Sequence, residues 1–455
     1  MEKTIAAIST APAPGGIGIV RISGGEAFAV AEKVFRGVSG KKLSQMKGYT
    51  AQLGGAYTPG GEKLDDVVAL VYRGPKSYTG EDVVELSCHG GLYMTKRLLQ
   101  LVLDAGAAPA GPGEFTRRAF LNGKMDLAQA EAVMGLISAS GEQARKAALA
   151  GSTGVLSRKI ESIKQGLLEQ AAHLAAWADF PEEDVPQVEE AALLKGIRQG
   201  EKALEELLQG FDRGRMYREG LVTVIAGRPN AGKSTLMNLL SGCQRSIVTQ
   251  YAGTTRDVVE ETVMVAGVPL RLADTAGIRD TDDPVESIGV QAARQRLETA
   301  QLVLAVFDSS QALEKEDWEL MDALEKVPAI AIVNKSDLPT RMDVEAIQKR
   351  FEKTVSLSAA TGEGLAALEQ ALSEILDTKD FHPQEGVLFT QRQRMDAQTA
   401  LDSLREGEQA LALGLTLDAV TVCVEDALHA LAALTGEQVS EEIVDRVFEE
   451  FCVGK

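Results

Sequence analysis

Cysteine is scarce in this sequence, and the cysteines that are present lie far apart. The 455 residues contain four of them, and no two form a C-x-x-C pair: Cys88, Cys243, Cys423 and Cys452. Neither a disulfide framework nor a zinc site is therefore expected, and a reducing cytoplasm is the expected location.

Long apolar runs and positive charge are also in short supply. No apolar run approaches the roughly 18 residues of a membrane-spanning helix, and the N-terminal region has no basic-then-apolar signal pattern. The 47 Lys and Arg against 66 Asp and Glu give a net charge of −19. This balance argues against a general nucleic-acid coat, although it leaves room for a local basic patch that serves RNA. Arg117, Arg118 and Lys124 are weak candidates for such a patch.

The chain divides into four stretches that differ in composition and in the spacing of their apolar residues. Residues 1–118 are rich in glycine and contain short strand-like runs, whereas 119–215 and 379–455 have apolar residues at helical spacing. Strands alternate with helices over 216–378, which predicts a largely parallel sheet. We predict a multidomain α+β protein with an N-terminal α/β domain, a split all-helical domain and an inserted α/β domain. The second helical part needs the earlier helices to bury its apolar stripe.

A strand, a glycine loop and a helix are predicted in the stretch LVTVIAGRPNAGKSTLMNLLSG, residues 221–242. It contains the pattern G-x-x-x-x-G-K-[ST] at Gly227, Gly232, Lys233 and Ser234, whose glycines let backbone N–H groups approach a β-phosphate. Lys233 would reach the β- and γ-phosphates, and Ser234 would offer its hydroxyl to Mg²⁺. The pattern predicts a P-loop.

Further nucleotide motifs follow in order. The D-T-A-G sequence at 274–277 follows an apolar strand, so Asp274 is expected to hold Mg²⁺ through water. In the N-K-S-D sequence at 334–337, Asp337 can accept the N1–H and exocyclic amine hydrogens of guanine, a donor pair that adenine lacks. Together with TQYAGTTRD over the phosphates and S-A-A at 358–360 bracing the base, these motifs predict a GTP-binding domain. The residues predicted to bind GTP or GDP are Asn230, Ala231, Gly232, Lys233, Ser234, Thr235, Thr249, Gln250, Tyr251, Ala252, Gly253, Thr254, Thr255, Asp274, Thr275, Ala276, Gly277, Asn334, Lys335, Asp337, Ser358 and Ala359.

The residue after D-T-A-G departs from the usual GTPase pattern. Small GTPases commonly have a glutamine there that orients the attacking water, whereas the aliphatic Ile278 of this chain lacks that ability. Glu286 is a candidate water-orienting group, the alternative being an ordinary exposed acid at a helix start. The developing charge could be neutralised by an arginine supplied in trans or by a monovalent cation, for which Asn230 offers a carbonyl-type ligand.

The C-terminal sequence FCVGK, residues 451–455, has two interpretations that the residues leave open. Gly454 and Lys455 fit a lipidation box poorly. Either a helix ends at Phe451, with Cys452 buried as a small hydrophobe and Gly454 stopping the helix, or the tail reaches back into an active site.

These motifs together resemble one family over essentially the whole chain, the bacterial tRNA-modification GTPase MnmE, also called TrmE. GRPNAGKST, IVTQYAGTTRD, DTAGIRD with VESIGV, and NKSD look like its GTPase domain. SYTGEDVVEL, GPGEFTRRAFLNGKMDLAQAEA and the terminal CVGK look like its flanking motifs, which make the resemblance specific. The family tail commonly reads C-[IL]-G-K, and Val453 in this chain leaves the thiol and the lysine unchanged.

The resemblance implies a folate-binding N-terminal domain that dimerises, a split helical domain and a Ras-like GTPase domain activated by potassium-dependent dimerisation. The implied reaction adds an aminomethyl or carboxymethylaminomethyl group to C5 of the wobble uridine of certain tRNAs. It uses a one-carbon unit of 5-formyl- or methylene-tetrahydrofolate, in a heterotetramer with the FAD-dependent partner MnmG (GidA). The alternatives are a GTPase switch in ribosome assembly without RNA chemistry and a folate enzyme with an appended regulatory GTPase.

The resemblance also implies particular site residues. Glu286 takes the water-orienting role, and Cys452 is implied to be a catalytic residue of the tRNA modification. Arg21 and lysines can pair with the glutamyl carboxylates of folate, and Glu85 can accept from the pterin donors. The implied folate contacts are Arg21, Glu85, Lys124 and Lys455, the magnesium ligands Ser234 and Thr255, and the potassium ligands Asn230, Thr249, Tyr251 and Thr254.

Overall fold

The computed structural model describes residues 3–179, 190–243, 261–272, 300–376, 382–449 and 451–454. Its internal contacts divide the chain into two compact units, each built from separated segments. Unit 1 consists of Met1–Met134, Ile160–Ile197 and Asp402–Lys455, and unit 2 of Gly135–Lys159 and Arg198–Leu401. The four domain boundaries given above stay a prediction.

Unit 1 contains a seven-stranded sheet in the order β3-β4-β5-β6-β2-β1-β7. All neighbouring strands are antiparallel except β1 and β7, which are parallel. Three of the short strand-like runs of residues 1–118, namely GIGIVRIS (16–23), DDVVALVY (65–72) and EDVVELSC (81–88), correspond to β2, β5 and β6. The strands are β1 (Ile5–Ile8), β2 (Ile17–Ser23), β3 (Phe35–Gly37), β4 (Thr50–Tyr57), β5 (Lys63–Tyr72), β6 (Val83–His89) and β7 (Ala108–Pro109).

The helices follow the predicted helical spacing. Among the described residues, no helix is long and apolar enough to cross a membrane. The helices are α1 (Ala27–Val34), α2 (Leu92–Asp104), α3 (Glu114–Leu121), α4 (Leu127–Ser138), α5 (Glu142–Ser152), α6 (Val155–Asp179), α7 (Glu190–Glu219), α8 (Lys233–Cys243), α9 (Lys315–Ala323), α10 (Val344–Gln348), α11 (Leu365–Ile375), α12 (Gln391–Ala412), α13 (Leu417–Thr435) and α14 (Glu441–Glu449).

One face of the unit 1 sheet forms the core of that unit. Alternate residues of a strand point to opposite faces, so β5 buries Val67, Ala69 and Val71 on a single face. Helices α1 and α2 cover this face with apolar side chains that include Phe28 and Leu98. The other face is left for polar residues of β2 and β6, among them predicted site residues.

Helix α14 of the second helical part packs against α4, one of the earlier helices. In unit 1, Leu127 and Ala130 of α4 share a buried cluster with Val444 and Phe448 of α14 and with Phe451. The cluster excludes water from the apolar face of α14, a helix of only nine residues that packing must stabilise.

Unit 2 contains a six-stranded sheet in the order β13-β12-β11-β8-β10-β9. All neighbours are parallel except β9 and β10, which confirms the predicted largely parallel α/β sheet. In such a sheet the loops after the carboxyl ends of neighbouring strands meet at one edge, where ligands bind. The strands are β8 (Leu221–Ala226), β9 (Glu261–Val265), β10 (Val268–Leu272), β11 (Leu302–Asp308), β12 (Ala329–Asn334) and β13 (Lys353–Ser356).

Candidate functional site

The glycine loop lies between β8 and α8, as its sequence predicted, and two of its glycines are required by space. Gly227 has φ +153°, and a Cβ there would lie 2.4 Å from the carbonyl oxygen of Val306 in β11. Gly232 has φ +98°, and a Cβ there would lie 2.1 Å from Nδ2 of Asn334. Because no side chain fits, the loop keeps backbone N–H groups accessible at the start of α8, which suits a phosphate.

Asn334 holds the glycine loop to the loop after β13. Its side chain is 2 % exposed. Nδ2 donates a hydrogen bond to the Ala231 carbonyl at 2.8 Å, and Oδ1 accepts one from the Ala359 backbone N–H at 3.0 Å. One buried amide therefore joins three sequence motifs, with both of its ends hydrogen-bonded. The sequence identified Asn334 as part of the site but did not predict this bridge.

Asp337 stands exposed at the edge of this arrangement. Its Oδ1 accepts a hydrogen bond of 2.6 Å from the hydroxyl of Ser358, which is fully buried. This bond fixes the carboxylate while leaving lone pairs for a ligand with two adjacent N–H donors. The geometry fits the predicted recognition of guanine.

Two charged groups that the sequence did not identify stabilise the surrounding loops. Asp308, at the end of the fully buried β11, pairs with Nζ of Lys335 at 2.7 Å. Burial opposes its ionisation, but hydrogen bonds from Lys335 and Ser310 hold the pKa of Asp308 below its ordinary value. One sequence signal could have identified Asp308: it is an acidic residue at the end of an otherwise apolar strand.

Arg228, inside the glycine loop, is the second group. It pairs with Glu314 at 2.6 Å and with Asp317 at 2.9 Å, at the start of α9. The hydrogen bond to Glu314 is the largest cause of the raised pKa of Arg228. The charge of Arg228 is thus used to anchor the loop and not to contact phosphate.

Lys233 is the first residue of α8, directly after the glycine loop. Its Nζ donates hydrogen bonds to the carbonyls of Gly227 at 2.8 Å and Arg228 at 2.7 Å. Ser234 and Thr235 follow in the first turn of α8. The ammonium of Lys233 and the hydroxyl of Ser234 are therefore both at the start of α8, next to the glycine loop, as the P-loop pattern requires.

The remaining predicted nucleotide and metal residues lie outside the described part of the chain, as does one predicted folate residue. They are Thr249, Gln250, Tyr251, Ala252, Gly253, Thr254, Thr255, Asp274, Thr275, Ala276, Gly277, Glu286 and Lys455.

Arg21 and Glu85, two predicted folate residues, face each other across β2 and β6. Nε of Arg21 lies 2.9 Å from Oε1 of Glu85, and the Tyr72 hydroxyl donates to Oε2 of Glu85 at 3.3 Å. Burial and the neighbouring Glu85 raise the pKa of Tyr72. The guanidinium of Arg21 lies 5.5 Å from the ring centroid of Phe115. Glu85 retains lone pairs for further donors, so the pair fits a flat ligand with N–H groups.

The third predicted folate residue lies on another element. Lys124 is exposed, and its Nζ donates to the Pro75 carbonyl at 2.9 Å. Of the residues considered for RNA, Arg118 is 4 % exposed and pairs with Glu114 at 2.9 Å, while Arg117 pairs with Asp445 at 2.9 Å. The suggestion that Arg118 contacts RNA is therefore wrong, because its charge is buried and neutralised within unit 1.

The C-terminal tail lies on the first strands of unit 1. The described part of helix α14 spans Glu441–Glu449, and Phe451 lies outside it. Val453 then forms an antiparallel bridge with Pro112. The Gly454 carbonyl accepts hydrogen bonds from the Ser9 hydroxyl at 3.1 Å and from Nη1 of Arg21 at 3.4 Å.

The backbone of the tail makes a close approach to the first strands. Gly454 has φ +98°, and a Cβ there would lie 2.2 Å from the Ile8 carbonyl oxygen, so glycine is required for close approach rather than for stopping a helix. Cys452 is half-buried and its carbonyl accepts from the Gly113 N–H at 3.3 Å. The thiol is thus only half-buried, which disagrees with the interpretation of Cys452 as a buried small hydrophobe, and the tail reaches back to Arg21. A role of the tail in an active site stays a prediction.

We expect Gly232→Ala to weaken GTP binding at least about ten-fold and to destabilise unit 2 by roughly 1–3 kcal/mol, since the new Cβ strains the backbone and displaces Asn334. Fluorescent GTP-analogue titration and thermal unfolding measure the two effects. The matched control is Gly242→Ala in α8, where nothing lies within 4 Å of the added Cβ; it should be neutral or slightly stabilising. Equal GTP affinity in both variants would contradict the assigned role of the loop.

Comparisons with known proteins agree over the length of the chain. Residues 4–124 match the family model described as GTP-binding protein TrmE N-terminus, and residues 127–452 match the MnmE helical domain. The chain is 43 % identical over 459 residues to the tRNA modification GTPase MnmE of Alkaliphilus oremlandii, covering 100 % of both chains. It is 45 % identical over 457 residues to the protein of the same name from Symbiobacterium thermophilum, again covering 100 % of both.

Solved structures match part of the chain. A variant of Aquifex aeolicus Era bound to GDP·AlF4− is 27 % identical, covers 42 % of this chain and 67 % of its own, and has a TM-score of 0.27. The G domain of T. maritima FeoB is 27 % identical, covers 34 % of this chain and 98 % of its own, and has a TM-score of 0.26. The full-length identities and the two family matches show that this chain belongs to the family of tRNA modification GTPases named MnmE.

Proposed function

We propose that this chain binds and hydrolyses GTP and uses the hydrolysis to modify the wobble uridine of certain tRNAs at C5, in the cytoplasm. The proposed GTP binding is supported by the Asn334 side chain, which joins the glycine loop, the N-K-S-D motif and the loop after β13. The proposed modification of tRNA is supported by membership of the MnmE family.

The residues have distinct roles in the proposed GTP site. Lys233 pairs with the β- and γ-phosphate oxygens, and its present bonds to two loop carbonyls place the ammonium in that loop. The Asp337 carboxylate accepts from the guanine N1–H and amine, held in place by Ser358. Ser234 and Thr255 would hold Mg²⁺, with Asp274 acting through water; the ion would neutralise phosphate charge.

Hydrolysis requires a water molecule to attack the γ-phosphorus while the bond to the β-phosphate oxygen breaks, giving GDP and inorganic phosphate. Glu286 orients the water in this proposal, because Ile278 lacks the polar atoms to do so. A potassium ion held by Asn230, Thr249, Tyr251 and Thr254 would supply positive charge when two GTPase domains meet. The left-handed Asn230, at φ +61°, is held within the glycine loop and is compatible with that role.

The second proposed site lies around Arg21 and Glu85. It would take 5-formyl- or methylene-tetrahydrofolate, with Glu85 accepting from the pterin and Arg21, Lys124 and Lys455 available for its carboxylates. The Gly454 carbonyl on Arg21 supports this placement, because it brings the segment that carries Cys452 to the same strands. We propose a homodimer that forms a heterotetramer with the FAD-dependent MnmG.

We expect GTP hydrolysis to be faster in KCl than in NaCl at equal ionic strength, on the order of ten-fold or more, because a bound cation replaces the charge that an arginine finger supplies elsewhere. The measurement is phosphate release under saturating GTP and Mg²⁺. Equal rates in the two salts would rule out the cation mechanism.

We expect Cys452→Ser to leave GTP hydrolysis within about two-fold of the native rate and to reduce tRNA modification at least about ten-fold, because the thiolate is a far better nucleophile than a hydroxyl. Nucleoside analysis after reconstitution with the partner measures the modification. Cys423→Ser is the matched control: this thiol is half-buried in α13, where burial raises its pKa, and its loss should not affect modification. Full modification by Cys452→Ser would return that thiol to a packing role.

A further inference from the structure

Positive charge is concentrated in one segment of unit 1. No Asp or Glu occurs between Glu32 and Glu62, whereas the same segment contains five basic residues: Lys33, Arg36, Lys41, Lys42 and Lys47. Five cations without an anion give this segment a net charge of +5 in a chain whose total is −19. The segment therefore differs in sign from the rest of the molecule.

The structure gathers four of these cations around one cleft, here called the basic cleft. The cleft has a volume of about 460 Å³ and lies where α1, β3 and the segment 40–43 meet; its charged lining residues are Glu32, Lys33, Arg36, Lys41 and Lys42. Strand β3 is the edge strand of its sheet, so the cleft opens at the margin of unit 1.

Packing fixes the shape of the basic cleft. Leu43 is 1 % exposed and Met46 is buried, which anchors the segment that follows Lys42. Gly40, at φ +71°, turns the chain, and its N–H donates to the Gly37 carbonyl at 3.0 Å. The one acidic residue of the lining, Glu32, accepts from the Ser44 N–H at 2.7 Å and so holds the loop in place.

The cations of the basic cleft stand exposed, and among the residues that the structure describes none of the four forms an ion pair. Nζ of Lys33 donates to the Ala105 carbonyl at 2.8 Å. Lys41 and Lys42 are exposed, and within the described ranges neither forms an ion pair. The aspartates on β5, two strands away from β3, have partners of their own: Asp65 lies 2.7 Å from Nδ1 of His89, and Asp66 pairs with Lys63 at 2.6 Å. This contrasts with Arg117 and Arg118, whose charges are used inside unit 1.

The chemistry of the lining indicates the ligand. The guanidinium of Arg36 lies 4.7 Å from the ring centroid of Tyr57, which orients it while leaving its donors available. Tyr49 and Val38 nearby in the sequence are 64 % and 79 % exposed. A site for a single phosphate needs groups that converge on one point. Cations spread over a cleft of this size instead match a row of phosphates. Sugar–phosphate backbones are bound by exposed Lys and Arg of this kind.

We propose that the basic cleft binds the sugar–phosphate backbone of the substrate tRNA. This inference rests on the proposed tRNA modification and adds to it a docking surface on an acidic molecule. The cleft makes contacts to phosphates and not to bases, so it positions the RNA without selecting its sequence.

The test is the double variant Lys41→Ala/Lys42→Ala in the full-length chain, titrated with unmodified tRNA at about 50 and 200 mM salt. Affinity at low salt should fall about ten-fold, and the slope of log affinity against log salt should decrease by about two, because two phosphate contacts are lost. GTP hydrolysis without tRNA should be unchanged, since neither lysine belongs to unit 2.

Lys96→Ala/Arg97→Ala is the matched control, because it removes two adjacent exposed cations from α2 in the same unit. It should bind tRNA as the native chain does. Native-like binding by Lys41→Ala/Lys42→Ala, or equal losses in both double variants, would overturn the inference and leave the proposed function intact. The inference would also be overturned if Lys41→Ala/Lys42→Ala lost binding to anionic lipid vesicles but retained binding to tRNA. Failure of the native chain to bind or modify tRNA at all would instead contradict the proposed function.

Discussion

The meeting of the two ends of the chain is the constraint on which unit 1 depends. Ser9 and Arg21 donate to the carbonyl of Gly454, partners that are 445 and 433 positions away in the sequence. Unit 1 consists of three separated segments, so its fold is complete only when the last segment has packed on the first. Contacts of such sequence separation are costly in chain entropy, and the buried cluster of Phe448 and Phe451 offsets that cost.

This closure also assembles the proposed folate site. Arg21 and Glu85 come from the first segment, whereas Cys452 and Gly454 come from the last. Because glycine at position 454 permits the approach to the Ile8 carbonyl, backbone geometry brings the segment that carries the thiol to the first strands. Unit 2 uses a comparable device on a smaller scale, since one buried side chain, Asn334, holds three loops at the carboxyl edge of its sheet.

The sequence predicted what short-range patterns determine. The P-loop, three strands of the unit 1 sheet, the largely parallel sheet of unit 2 and the helical character of the last segment follow from glycine spacing and apolar periodicity, which act within a few residues. Long-range pairings have no such pattern. The bridge made by Asn334 and the anchoring of Arg228 to α9 were therefore not foreseen, and neither was the burial of Arg118. Phe451 lies outside α14, and the pairing of Val453 with Pro112 has no local sequence signal.

The central claim is that this GTPase acts in the modification of wobble uridine. Nucleoside analysis of tRNA from cells that lack the gene tests it most directly, with the native gene restored as the control. The account predicts loss of the C5 modification from the wobble uridine of the affected tRNAs and its return on restoration. Unchanged wobble uridines in the cells that lack the gene would contradict the account.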